Sequence, residues 1–192
     1  NQNDYNWIVQ TPYIYKLLRE NILINKNQIF IFPIFNEKFV SPNFNKIRNN
    51  FVYVSSGINH KNHKRLIKAF IDAANNTDKE IKLHITLSKE ELPKSVFPKN
   101  LKVEFHGILG INAVYDLYNC CEFAIYPSLV ESFGLPLIEA SNHNCKVIAS
   151  DLPYVYEIVE PSLNFDPYSV KSISKSILKA IETDNLPETK VL

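Results

Sequence analysis

Residues 122–149 read EFAIYPSLVESFGLPLIEASNHNCKVIA, and the order of apolar runs within them decides the fold. Glu122–Tyr126 is short, aromatic and apolar, and reads as a buried strand that Pro127 stops. Leu137–His143 reads as a helix and Lys146–Ala149 as the next strand. Between them stands Glu131-Ser132-Phe133-Gly134-Leu135-Pro136-Leu137-Ile138-Glu139, two carboxylates eight positions apart around a Gly and a Pro. Pro136 fits the first helical position, where its missing N–H costs nothing. Gly134 permits a positive φ or a close backbone approach to a ligand. The N–H groups around residues 133–137, Pro136 having none, are then expected to point outward from a helix start, which is a ready anion site. Glu139 is expected in the first turn beside it, with Glu131 on the loop leading in. Phosphate on the amides and hydroxyls on the carboxylates would suit a sugar nucleotide.

Outward from this stretch the same alternation continues. Phe51–Val54 reads as a strand; Leu66, Ile67, Phe70, Ile71 and Ala74 then recur at helical spacing, with Lys64, Arg65, Lys68 and Asp72 on the other face. Ile81–Leu87 and Leu101–Phe105 read as strands and Ala113–Asn119 as a short helix. A helical turn is expected near Pro153, a short strand at Leu163–Phe165 and a helix at Val170–Glu182. This pattern predicts an α/β fold, a doubly wound parallel sheet covered on both faces. Ligands of such sheets sit at the carboxyl ends of the strands, where the loops at 55–62, 87–91, 106–112 and 127–136 gather. The first residues differ. Trp7–Gln10, Pro12–Asn21 and Gln28–Phe32 read as strand, helix and strand, and the Asn-rich stretch 36–50 suits a linker. The division expected is 1–49 as an appended unit with its linker, 50–185 as the main domain and 186–192 as a tail.

Bulk properties exclude several classes. With 45% hydrophobic and 21% charged residues the 192-residue chain is expected to be globular. A net charge of +1 gives no general attraction for nucleic acid or an acidic membrane, so anion binding must be local. Cys120, Cys121 and Cys145 make no disulfide framework and read as small buried groups in a reducing compartment. There is neither a signal peptide nor a long apolar run, and a cytoplasmic location is expected. The chain contains no Met and begins Asn1-Gln2-Asn3-Asp4, as a piece of a longer protein would.

A second informative segment, Ser55-Ser56-Gly57-Ile58-Asn59-His60-Lys61-Asn62-His63-Lys64-Arg65, runs from the first main strand into its helix. Cations at a helix start oppose the macrodipole, and a bound anion would relieve them. Lys61, at the turn, is the candidate phosphate contact, with His60 beside it; Lys64, Arg65 and Lys68 read as a solvated face. His60 and His63 lack a third ligand at zinc spacing, and no metal is expected. His84 reads as a structural histidine within its strand. His106, Gly107 and Ile108 follow the third strand, where the glycine permits backbone close to a planar ligand. The chain lacks a G-x-G-x-x-G fingerprint, a Walker loop, a G-x-S-x-G elbow and a D-x-D pair.

Glu131 to Glu139 matches the E-x7-E motif of the retaining glycosyltransferases of family 4, the group 1 transferases of GT-B fold. Further landmarks carry the resemblance over roughly residues 50–182: Tyr53–Asn62, Phe105-His106-Gly107, Tyr126-Pro127-Ser128, Ser150-Asp151-Leu152-Pro153 with Glu157, and Phe165-Asp166-Pro167. Ile8-Val9-Gln10-Thr11 through Pro33 resembles the last strand–helix–strand of the family's acceptor domain, and residues 50–185 its Rossmann-like donor-binding half. The resemblance implies that Glu139 holds the donor ribose and Glu131 the hydroxyls of the donor sugar. It implies that the amides of Phe133, Gly134 and Leu135 meet sugar and diphosphate, that Lys61 neutralises the leaving diphosphate, and that the base lies near His106–Leu109, with His106, Gly107 and Ile108 among the binding residues. Transfer is then expected with retention, without a cofactor, from a GDP- or UDP-linked sugar to a sugar or lipid-linked acceptor of polysaccharide or glycolipid. The His60-Lys61-Asn62-His63 segment leans the donor toward a GDP-mannose type. Any membrane contact, at the inner face, would come through parts outside this chain. Where the family often has Gly then Arg, this chain has Ser55 and Ser56, which leaves Lys61, with His60, as the main cation; Ser56 takes the Arg position. Leu87-Ser88-Lys89 stand where the family has a Gly-rich turn. With most of the acceptor domain missing, nucleotide binding with little or no transfer is expected. The alternative reading is a non-catalytic nucleotide-binding or interaction module of the same fold.

Overall fold

The computed structural model describes residues 5–22, 28–32 and 44–192. A first unit consists of β1 (Trp7–Val9), α1 (Pro12–Asn21) and β2 (Ile29–Ile31), with the two strands parallel. Thr11 caps α1 by accepting from the Ile14 amide, and Pro12 fills its first position. The Tyr13 amide donates to Glu157 at 3.0 Å, joining this unit to the main one.

The main unit runs β3 (Ile47–Tyr53), α2 (His63–Asn75), β4 (Ile81–Ile85), β5 (Leu101–Phe105), α3 (Ile111–Cys120), β6 (Cys121–Tyr126), α4 (Leu135–Asn142), β7 (Lys146–Ser150), β8 (Val159–Glu160), β9 (Leu163–Phe165), α5 (Val170–Glu182) and β10 (Lys190–Val191). Six strands form one parallel sheet in the order β5-β4-β3-β6-β7-β9. The expected doubly wound α/β sheet is therefore present. Its centre is aromatic: Phe51 of β3 stacks on Phe123 of β6 at 4.8 Å and meets Phe70 of α2 edge-on at 5.2 Å. α2 buries Leu66, Ile67, Phe70 and Ala73 against the sheet, each large side chain contributing about 1.5–3 kcal/mol.

Two boundaries differ from the sequence reading. Within the expected linker 36–50, residues 36–43 lie outside the described residues, but 47–50 already belong to β3. Polar residues are tolerated there because Asn49 takes a left-handed φ of 58° at a register shift against β6. Lys46, just before, donates to the carbonyls of Tyr118 and His143, where α3 and α4 end and a cation is favoured. At the other end, residues 186–192 do more than trail: Leu186 is buried, and β10 pairs antiparallel with β8.

Candidate functional site

The connections from β3 and β6, which lie side by side, leave in opposite directions, toward β4 and toward β7. Their carboxyl ends form the crevice in which such sheets hold ligands. Lys61 follows β3 and Glu131 follows β6, and the structure brings them together. Lys61 Nζ lies 2.6 Å from Glu131 Oε1, with side chains only 14% and 9% exposed. Backbone and side-chain bonds fix both loops. Tyr53 Oη donates to the Lys61 carbonyl at 2.8 Å and lies 3.0 Å from Ser128 Oγ. The Leu129 amide donates to the His60 carbonyl at 2.8 Å. Asn62, at φ 63°, donates its side-chain amide to the carbonyls of Pro127 and Pro167. His63 Nε2 meets the Ser56 carbonyl at 2.9 Å, so the ring proton sits on Nε2; burial keeps this imidazole below its ordinary pKa. Tyr126 lies beneath, its ring centroid 5.9 Å from Lys61 Nζ and its buried hydroxyl without a partner among the described residues.

The α4 side is built otherwise. Gly134 caps the helix at φ 78°, a left-handed conformation suited to glycine. The helix starts at Leu135, two residues earlier than the sequence suggests, so Pro136 occupies its second position. The Leu137 amide donates to the Gly134 carbonyl at 2.9 Å and is not free, contrary to expectation. The amides of Phe133, Gly134 and Leu135 find no acceptor among the described residues. Because of the early start, Glu139 falls in the second turn rather than the first. Its side chain is half-buried and has no hydrogen bond or ion pair among the described residues, and burial raises its pKa. A carboxylate left in that state is short of donors.

A cavity of about 320 Å³ lies between these loops, walled by Ser56, Lys61, Thr86, Ile108, Leu109 and Pro136, among others. Ile108 is fully exposed at its rim, following Gly107 at φ 64°. Three expected site residues, Ser56, Lys61 and Ile108, thus wall one cavity, and Glu131 joins through Lys61. Glu139 and residues 133–135 stand on the α4 side beyond Pro136. His60, His106 and Gly107 do not wall the cavity. The His106 ring turns away to stack on His84, centroids 5.2 Å apart.

A family model described as glycosyl transferases group 1 matches residues 34–190. The chain belongs to the group 1 glycosyltransferases. This group 1 chain is 38% identical over 82 residues to the O-antigen chain mannosyltransferase RfbU of Salmonella typhimurium, covering 42% of itself and 23% of that protein. Against the capsular polysaccharide biosynthesis glycosyltransferase CapH of Staphylococcus aureus it is 28% identical over 153 residues, 73% of itself and 42% of CapH. It spans less than half of either relative. Among solved structures, a variant of S. aureus TarM, crystallised with UDP, fondaparinux and alpha-GlcNAc-glycerol, superposes with a TM-score of 0.76 at 17% identity, over 93% of this chain and 37% of that one. At that identity the likeness is one of fold, the Rossmann-like half of a GT-B architecture. No helix among the described residues is long and apolar enough to cross a membrane.

The sequence reading gave no role to three residues that build this candidate site. Asn62 ties the Lys61 turn to the loops after β6 and β9, and its signal was an Asn next to the turn, a residue that tolerates left-handed backbone. Thr86 accepts from the Ser55 amide at 2.9 Å and donates back to its carbonyl. Tyr126 offers its free hydroxyl below the ion pair, and nothing in the strand pattern marks it.

Proposed function

We propose that this chain is the donor-binding half of a family 4 glycosyltransferase that retains anomeric configuration and builds a polysaccharide or glycolipid. The observation that carries the reading is a built cation, Lys61 on Glu131, at the end of β6, and on the loop and helix that follow it an unpartnered carboxylate, Glu139, and three amides without acceptors among the described residues. Glu139 takes the ribose hydroxyls and gains the donors it lacks. The amides of Phe133, Gly134 and Leu135 meet the diphosphate and sugar, and Glu131 receives sugar hydroxyls. Lys61 stabilises the negative charge that develops on the departing diphosphate, the largest electrostatic demand of such a transfer. Ile108, apolar and exposed at the rim, suits the face of a nucleobase. With cation and amides supplied by the chain itself, the reading calls for no cofactor. The mannosyltransferase relative favours a GDP-linked donor and the UDP in the TarM variant a UDP-linked one. The acceptor is a sugar, free or lipid-linked, and the working location is the cytoplasmic face of a membrane. On their own these 192 residues are expected to bind donor and transfer little sugar, since a second substrate needs a second wall to orient it.

Calorimetry with UDP, GDP, ADP, CMP and dTDP tests this directly. One diphosphate is expected to bind selectively, with binding lost in Glu139→Ala and weakened in Lys61→Ala. Silence toward every nucleotide would instead favour a non-catalytic module, which the Ser55-Ser56 pair in place of Gly-Arg also suits.

A further inference from the structure

His84, Glu104 and His106 lie outside the cavity and its chemistry, on the outer pair of strands. His84 and Glu104 are register partners across β4 and β5, and His106 follows Glu104 by two residues. Strand alternation therefore puts all three on one face. Nδ1 of His84 is 3.0 Å from Nε2 of His106 and 3.3 Å from Oε2 of Glu104. The third side of this triangle, His106 Nε2 to Glu104 Oε2, is 4.0 Å. Three atoms that can each supply a lone pair converge; one ring proton between the two nitrogens serves only part of the triangle and leaves when an ion takes its place. Metal–ligand bonds of about 2.0–2.1 Å in a tetrahedron set ligand atoms roughly 3.3 Å apart, within the span of the three sides.

The surroundings suit ligation. His84 is buried and its Nε2 has no hydrogen-bond partner among the described residues, so the polar contacts of the ring are confined to its Nδ1 side, toward Glu104 and His106. Lys102 and Lys82 both hold the other carboxylate oxygen of Glu104 at 2.9 Å. They fix its orientation, as an outer partner does for a metal ligand, and leave Oε2 turned to the histidines. Their charge also opposes a cation, so binding is weaker than in a site without them. Glu104 and His106 stay partly exposed, which leaves an entry path and an open coordination position.

We propose that His84, Glu104 and His106 form a three-ligand site for a divalent transition-metal ion, zinc foremost, with its fourth position open to solvent. The competing arrangement is a hydrogen-bonded histidine pair beside a lysine-held carboxylate, with no ion. The site stands independently of the nucleotide reading. Its bearing on the cavity is mechanical: His106 precedes Gly107 and Ile108, so a bound ion anchors the turn at the cavity rim.

The test titrates the full chain, freed of metal with a chelator, with zinc chloride and with cobalt chloride. Expected are one ion per chain, a higher thermal midpoint and the intense visible bands of four-coordinate cobalt. Glu104→Gln and His106→Gln, both at partly exposed positions, should each weaken zinc binding by at least about 100-fold, the upper end of what loss of an outer partner costs. His60→Gln should leave it unchanged. Ring-nitrogen resonances of the unsubstituted chain provide a reading that needs no variant: His84 Nδ1 and His106 Nε2 should move on zinc addition, and the opposite nitrogens much less. No binding, a cobalt spectrum like that of the free aqueous ion, or equal zinc affinity in His106→Gln would overturn the proposal in favour of the hydrogen-bonded pair.

Discussion

At the carboxyl end of β6, Glu131 is buried and carries its own counter-ion at 2.6 Å, whereas Glu139, in the second turn of α4, is half-buried and carries none. Eight positions apart, the two carboxylates were placed by the same local sequence logic and ended in opposite states. On the β3–β6 side the chain pairs its charged groups and ties Lys61, Asn62 and Glu131 in place, leaving only the Tyr126 hydroxyl and His63 Nδ1 without partners among the described residues there. On the α4 side it leaves a carboxylate and three amides unmet. The contrast separates two kinds of contribution to binding. One side is preorganised, so a ligand meets groups already in place; on the other, a ligand relieves the desolvation cost of the half-buried Glu139 carboxylate, which the folded chain carries alone.

The strongest way to break the contrast is to remove the built cation. Lys61→Ala strands Glu131 in a nearly buried position, and a loss of about 3–5 kcal/mol in unfolding free energy is expected, read by urea denaturation. Lys61→Met with Glu131→Leu should regain most of that stability yet bind no diphosphate. A double variant that still bound nucleotide normally would make the pair a purely structural element.

On the other side the effect should appear in binding and have the opposite sign in stability. Glu139→Gln loses charged hydrogen bonds to ribose, about 1.5–3 kcal/mol and so at least tenfold in affinity by calorimetry. The unliganded chain should meanwhile become more stable at neutral pH. Burial raises the folded pKa of Glu139 above its unfolded value. The folded state thus holds a proton that the unfolded state has released, and this contribution to stability is lost as pH rises through the raised pKa. Glu139→Gln should flatten that slope, while nucleotide binding to the unsubstituted chain strengthens over the same window as the carboxylate ionises.

Gly134 connects the two sides, and its substitution tests the amide geometry. A Cβ there would sit 3.0 Å from Ile158 Cδ1 and 3.3 Å from Leu137 Cδ1, at a φ of 78°. Gly134→Ala is expected to cost about 1–3 kcal/mol in stability, in thermal or urea unfolding, and to weaken diphosphate binding as the free amides shift.

The fold was legible because alternating apolar runs leave few arrangements: β4 to β7, β9 and α5 lie close to where periodicity puts them, while the short β8 was not expected. The start of β3 was not, since Ile47-Arg48-Asn49-Asn50 looks polar and local pattern says nothing of Lys46 reaching the ends of α3 and α4. Within the site, Lys61 and Glu131 were legible as residue types, but their contact joins positions 70 residues apart and depends on the β3–β6 adjacency. His106 shows the reverse failure. Its place before Gly107 suggested a base pocket, while strand register turned its ring toward His84 and Glu104, a pairing that only the β4–β5 ladder could reveal.

The smallest expected effect concerns Ser56, the exposed cavity residue that stands where the family often has Arg. Ser56→Arg adds a second cation beside Lys61 without disturbing the ion pair. Because the position is exposed, the new charge should add only about 0.2–1 kcal/mol to diphosphate binding, up to roughly fivefold in Kd. Calorimetry at two ionic strengths separates the causes. A gain that fades in high salt comes from a screened, solvated charge. A gain that persists comes from direct contact with the diphosphate, and would show that the preorganised side of the crevice has room for a second built cation.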